Sequence, residues 1–131
     1  MAVTGKVLKG SGITIGQVFN GTDGITLAEL QYSTGGFSLF YEESRSGGNS
    51  TNLGNATPLD TRYSFTMALS NNVLTITLNG KQVFQRTPGS GVSANKFYFK
   101  VGNYDQTTTS GTPGTTAHSI VEDYSVVVRH Q

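Results

Sequence analysis

Between Arg62 and Arg86 the chain reverses direction twice in a short span. Tyr63, Phe65, Met67 and Leu69 alternate with smaller or polar residues until Ser70-Asn71-Asn72 interrupts them. Val73 to Leu78 follows, then Asn79-Gly80, then Lys81 to Arg86. Successive side chains of a strand point to opposite faces, so an alternating run makes one apolar and one polar face. Asn-Gly between two such runs is a strong hairpin signal, because a type I′ turn needs positive φ at both central residues. A chain patterned in this way folds as antiparallel sheet.

The same grammar runs through the rest. Lys6 to Lys9, Ile13 to Asn20, Ile25 to Ser33 and Phe37 to Glu43 read as strands. Gly10-Ser11-Gly12, Asn20 to Gly24 and Ser33-Thr34-Gly35-Gly36 separate them as turns. Ser44 to Pro58 reads as a long polar loop, and loops of that length are functional or mobile. Thr87 to Gly91 and Thr107 to Thr116 are further loops, and Ser119 to Arg129 closes the chain with Val-rich alternation. The sum is about nine or ten short strands, no helix and no internal repeat. The expected fold is all-β, an antiparallel β-sandwich, as one domain over residues 1–131.

Composition removes several functions. Net charge is +1 with no basic block, so nucleic acid has no electrostatic footprint here. No apolar run is long enough to cross a membrane, and the first residues lack the pattern of a secretory signal. Cysteine is absent, which excludes disulfides and thiol catalysis and permits either a cytoplasmic or a secreted home. His118 and His130 are the only histidines; they stand apart from clustered carboxylates and read as surface residues. No cofactor and no transition metal are expected. Oxygens of Asp23 or Asp105 could meet calcium, but nothing in the pattern points to it. Asn20-Gly21-Thr22, Asn49-Ser50-Thr51 and Asn55-Ala56-Thr57 fit the glycosylation pattern, which chance supplies in so Asn/Ser/Thr-rich a chain.

The most informative run is Lys96 to Gln106. Phe97, Phe99 and Val101 alternate onto a core face. Tyr98, Lys100, Gly102, Tyr104 and Gln106 form the other face, too rich in aromatic, ammonium and amide groups for ordinary solvated surface. Gly102 leaves a gap between Lys100 and Tyr104 where a ligand could approach the backbone. Tyr98-Phe99-Lys100-Val101-Gly102-Asn103-Tyr104-Asp105-Gln106 resembles the YFKAGxYxQ strand of the alginate lyase and glucuronan lyase families of polysaccharide lyases. That resemblance implies a concanavalin-like β-jelly roll with this strand in the floor of a sugar groove.

A second groove strand of those families carries a Gln-Ile-His motif. Here Gln17-Val18-Phe19 stands at the similar place: Gln17 matches, and Phe19 replaces the histidine. The resemblance implies that the Gln neutralises a uronate carboxylate while the His and Tyr transfer protons in β-elimination. Phenylalanine cannot carry a proton, and a tyrosine with its ordinary pKa near ~10 is a poor base at neutral pH. Lys100, on the same face as Tyr104, could be the cation that helps it. The families' Arg-Thr/Ser-Glu-Leu-Arg strand has no counterpart, so the resemblance covers their later portion, from about Lys6 onward. Within Leu27 to Tyr32, Glu29 and Gln31 take the groove face where such lyases often carry Lys or Arg, with Ala28, Leu30 and Tyr32 facing the core. A carboxylate there repels a polyuronate.

The candidate groove set is therefore Gln17, Phe19, Glu29, Gln31, Tyr98, Lys100, Tyr104 and Gln106. Aromatic rings stack on the C–H faces of sugars, and amides and carboxylates bond vicinal hydroxyls. Replacing a proton carrier by Phe19 favours binding over catalysis. The expected function is a lectin-like, catalytically impaired glycan- or polysaccharide-binding protein, acting as a homo-oligomer because one shallow site binds weakly. One alternative is a minimal polyuronate lyase with Tyr104, Lys100 and Gln17 as its machinery. Another is a structural or interaction sandwich that binds no sugar. A one-residue register slip would move any strand's candidates to the core.

Overall fold

A computed structural model gives the fold and describes residues 1–93, 96–106 and 119–129. Its strands are β1 (Ala2–Lys9), β2 (Ile13–Asn20), β3 (Ile25–Ser33), β4 (Gly36–Tyr41), β5 (Asn49–Gly54), β6 (Arg62–Ser70), β7 (Val73–Leu78), β8 (Lys81–Arg86), β9 (Phe97–Asp105) and β10 (Ile120–Val127). They form two antiparallel five-stranded sheets, ordered β10-β1-β6-β7-β8 and β5-β4-β3-β2-β9. The protein is thus an all-β sandwich, as its alternation predicts. Asn79 and Gly80 have φ of 49° and 80°, and Leu78 pairs with Lys81, so a two-residue turn closes the β7–β8 hairpin. Asn71 and Asn72, at 49° and 58°, do the same between β6 and β7.

The sequence reading needs four corrections. The polar stretch Ser44 to Pro58 contains β5, which pairs with β4. It is an edge strand whose residues are nearly all exposed, so no apolar alternation marks it. β1 begins at Ala2 rather than Lys6; Val3 and Val7 are both buried, and Gly5 between them obscures the pattern. Ser90–Ser93 forms a single helical turn, α1, within and beyond the expected loop. Val101 is 36% exposed rather than buried, because β9 is the edge strand of its sheet. The loop Thr107 to Thr116, His118 and His130 lie outside the described residues.

Both sheets turn their apolar faces inward. Tyr32 of β3, Phe37 of β4 and Tyr63 and Phe65 of β6 form a buried aromatic cluster across the sandwich. Phe37 meets Tyr32 and Tyr63 edge-on at 5.5 and 5.6 Å, and Tyr63 stacks on Tyr32 and Phe65 at 6.4 and 6.2 Å. These offset and edge-on contacts suit the ring quadrupoles. The Tyr32 hydroxyl donates to the Thr57 carbonyl at 2.7 Å. Leu27, Leu30, Leu39, Met67, Leu74, Ile76 and Leu78 fill the layer around the rings.

A second tie closes one end. The Glu43 carboxylate, just past β4, accepts from the Tyr41 hydroxyl at 2.7 Å and from the Gly89 amide at 2.9 Å. Arg86 lies 3.6 Å from Glu43 and sits 4.5 Å above the Tyr41 ring. Tyr41's hydrogen bond holds the Glu43 carboxyl below the usual carboxylate range.

Gly16 of β2 faces this core, and a methyl group on it would lie 2.8 Å from the Phe65 ring and 3.1 Å from the Met67 sulfur. The absent side chain lets β6 pack close to β2. Gly16→Ala is expected to destabilise the protein by about 1–3 kcal/mol through overpacking. Phe65→Leu in the same chain should recover part of that loss. Urea unfolding of the single and double variants tests this; equal stability of Gly16→Ala and wild type would refute it.

Candidate functional site

Strand register places seven of the candidate residues on the outer face of the β5-β4-β3-β2-β9 sheet, and Gln106, just past β9, joins them through its side chain. Three cross-strand rows emerge. The first joins Tyr98, Phe19 and Thr26. In the second, Lys100 pairs with Gln17, Gln17 with Glu29, Glu29 with Phe40 and Phe40 with Ser50. In the third, Tyr104 pairs with Thr14, Thr14 with Gln31, Gln31 with Ser38 and Ser38 with Asn52. Paired residues in a sheet share a face, so each row is a strip of neighbouring side chains. Ala28, Leu30 and Tyr32 point inward and are fully buried, leaving Glu29 and Gln31 half-buried on the groove side.

The third row exists because β2 departs from strict alternation. Thr14 and Gln17 are three residues apart, so an unbroken strand would put them on opposite faces. Between Thr14 and Gly16, β2 gains one residue against β3. Over the same stretch β9 gains one against β2, with Gly16 opposite Val101 and Thr14 opposite Tyr104. Such bulges re-aim side chains. Gly102 and Asn103 occupy the β9 bulge beside a hollow of about 160 Å³, also lined by Gln17, Lys100 and Tyr104. That hollow lies where the sequence suggested backbone access.

A directional hydrogen-bond chain crosses the third row. Gln106 Nε2 donates to Thr14 Oγ1 at 2.8 Å, and Thr14 Oγ1 donates to Glu29 Oε2 at 3.2 Å. Gln31 Nε2 donates to the same Glu29 oxygen at 3.4 Å. Thr14 is one of three buried polar residues among those described. Its one hydroxyl proton goes to the carboxylate while its lone pair takes the amide proton, so both groups are satisfied. Sequence reasoning missed Thr14, because strict alternation puts a residue three positions from Gln17 on the opposite face. The neighbouring Gly16, a glycine inside a strand, was the available signal of a bulge.

The first row is aromatic. Phe19 and Tyr98 lie 5.2 Å apart with tilted rings. Lys100 Nζ sits 3.6 Å from the Phe19 ring centroid and 5.5 Å from that of Tyr98. This is a cation–π arrangement. The expected open stacking platform at Phe19 is therefore half-buried and covered by an ammonium group. Lys100 turns toward Phe19, and Tyr104 shares its row with Thr14. Tyr104 is 63% exposed, and its hydroxyl takes no hydrogen bond from the described residues. Tyr98, at 43%, is the other open ring. Phe40 also belongs to this face, but Gly48 lies so close to its ring that no side chain would fit between them. Among the described residues no group of three or more His, Asp or Glu is placed to hold a metal ion. Asp23 Oδ2 accepts from the Asn20 amide at 2.8 Å.

The sequence model of the alginate lyase family matches residues 1–130. No curated protein sequence matches the chain. Among solved structures, an alginate lyase from Pseudomonas aeruginosa superposes with a TM-score of 0.85 at 19% identity, over 99% of this chain and 63% of that one. A variant of the family 7 alginate lyase A1-II′, solved in complex with product, gives 0.82 at 22% identity, over 99% and 61%. The marine alginate lyase AlyA1 from Zobellia galactanivorans gives 0.62 at 20%, over 93% and 60%. At these identities the likeness is one of fold, and the chain spans about three fifths of the first two enzymes' length.

The hydrogen-bond chain makes a prediction about coupling. Thr14→Val removes a donor to Glu29 and an acceptor for Gln106, and is expected to cost about 1 kcal/mol. Combined with Glu29→Gln, the loss should fall short of the sum of the two single losses. A urea-unfolding double-mutant cycle reads this out, and strict additivity would dismiss the chain.

Proposed function

The chain belongs to the alginate lyase family, and from that premise we propose that it is a polysaccharide-binding protein whose groove retains sugar recognition with impaired elimination chemistry. One observation carries the reading: a single sheet face gathers two open tyrosines, three amides and a fixed carboxylate, while an ammonium-capped phenylalanine stands where the resemblance calls for a proton carrier. Tyr98 and Tyr104 stack on sugar C–H faces. Gln17, Gln31 and Gln106 exchange hydrogen bonds with hydroxyls, since amides both donate and accept. Elimination needs a base near neutral pKa and a stabiliser for the developing anion. Phe19 supplies neither, and Lys100 lies on its ring.

Tyr104 supports a second reading. It borders the hollow shared with Gln17 and Lys100, and its hydroxyl is open to a substrate. As a minimal polyuronate lyase, the protein would use Tyr104 as base and acid and Gln17 and Lys100 to hold the carboxylate. A glycan and polysaccharide array including alginate and glucuronan, with an ultraviolet assay for unsaturated uronate, separates the two. Binding without product is the expected result. Tyr98→Ala and Tyr104→Ala should each weaken binding by roughly fivefold, or about 1 kcal/mol. Product formed by wild type and abolished in Tyr104→Phe, with binding intact, would establish the lyase. No binding to any saccharide would leave only a structural or interaction sandwich.

The reading includes self-association. Edge strand β8 carries Lys81 and Arg86, whose charges discourage pairing, and edge strand β5 is polar throughout except for Leu53. Edge strands β9 and β10 share the opposite flank and expose Val101, Ile120, Val126 and Val127. A second copy would cover that flank and supply the multivalency a weak site needs. Sedimentation should give a dimer or larger at micromolar concentration, and a monomer would end this part of the proposal.

A further inference from the structure

Glu29 stands in the middle of the groove face, between Gln17 on β2 and Phe40 on β4. Its Oε2 atom is occupied by the Thr14 hydroxyl and the Gln31 amide. Its Oε1 atom takes no hydrogen bond from the described residues. Gln106 bonds Thr14 from behind, so the carboxylate is held before any ligand arrives. Nor is it neutralised: no described Lys or Arg forms an ion pair with it, and Lys100, in the same row, is drawn onto Phe19. A fixed carboxylate with one free oxygen accepts protons from a ligand and repels another carboxylate.

We infer that Glu29, locked by Thr14 and Gln31, determines specificity in this groove: it selects saccharides that present hydroxyl or ammonium donors there and turns uronates away. The inference rests on the saccharide-binding reading above and names its ligand class. Neutral sugars satisfy Oε1 through a hydroxyl. Amino sugars do so through an ammonium and gain charge attraction as well. A uronate placed over Glu29 sets like charges together in a partly desolvated cleft, where Lys100, the cation of the same row, is engaged with an aromatic ring.

The test measures binding of three defined oligosaccharides: oligomannuronate, a glucosamine oligomer and a neutral mannan oligomer. Wild type is compared with Glu29→Gln and Glu29→Lys, each checked for an unchanged unfolding midpoint or corrected for it. Wild type should bind at least one donor-rich oligomer about tenfold more tightly than oligomannuronate. Glu29→Gln should narrow that gap, and Glu29→Lys should reverse it in favour of oligomannuronate. A glucosamine preference that shrinks as salt rises identifies the ammonium as the donor, whereas a salt-insensitive mannan preference identifies hydroxyls. Oligomannuronate bound by wild type as tightly as by Glu29→Gln overturns the inference and leaves the saccharide groove standing. No binding of any probe by any of the three proteins overturns both.

Discussion

Two sheets share a single layer of side chains, and the placement of everything else follows from that layer. The rings of Tyr32, Phe37, Tyr63 and Phe65 cross it, and Gly16 leaves room for Phe65 to enter. Once alternate residues of β2 and β3 are committed inward, the rest have only one place to go. Val18, Ala28 and Leu30 are buried, so Gln17, Glu29 and Gln31 stand on the outer face. The groove is thus the complement of the core. Its polar residues are spaced by the sheet itself, about 4.8 Å from strand to strand.

Electrostatics divide this face unevenly. Lys100, Gln17 and Glu29 follow one another across three strands, a cation at the sheet edge and an anion at its centre. The two charges do not pair. The ammonium lies on the Phe19 ring, and the carboxylate takes the protons of Thr14 and Gln31. Each charge has a local partner, and Glu29 keeps its Oε1 oxygen open. Phe19 therefore matters to the charges of this face. It provides the ring that draws Lys100 away from the rest of the groove.

Much of this was legible in the sequence, and the failures have physical causes. The strands β2, β3, β7 and β8 are read to the residue, because turn residues rich in Gly, Asn, Ser and Pro mark their ends. Glu29 and Gln31 were placed correctly, since three buried neighbours fix their phase. Strand β5 was invisible because an edge strand of Asn, Ser and Thr has no buried side to write into its composition. Thr14 was invisible for a different reason. Alternation is a local rule, and a bulge is decided by the neighbouring strands. The position of the Lys100 ammonium is further from the sequence still, since it depends on which ring lies across the strand gap.

The paired bulges at Ile15 of β2 and at Gly102 and Asn103 of β9 divide the groove into two halves. On one side lie Tyr98, Phe19, Lys100 and Gln17; on the other lie Tyr104 and Thr14. A one-residue deletion at the β2 bulge would restore plain alternation, leaving Thr14 two positions from Gln17 and both still on the outer face. The loss would fall on the interior instead, because the extra residue, Ile15, is itself buried in the core.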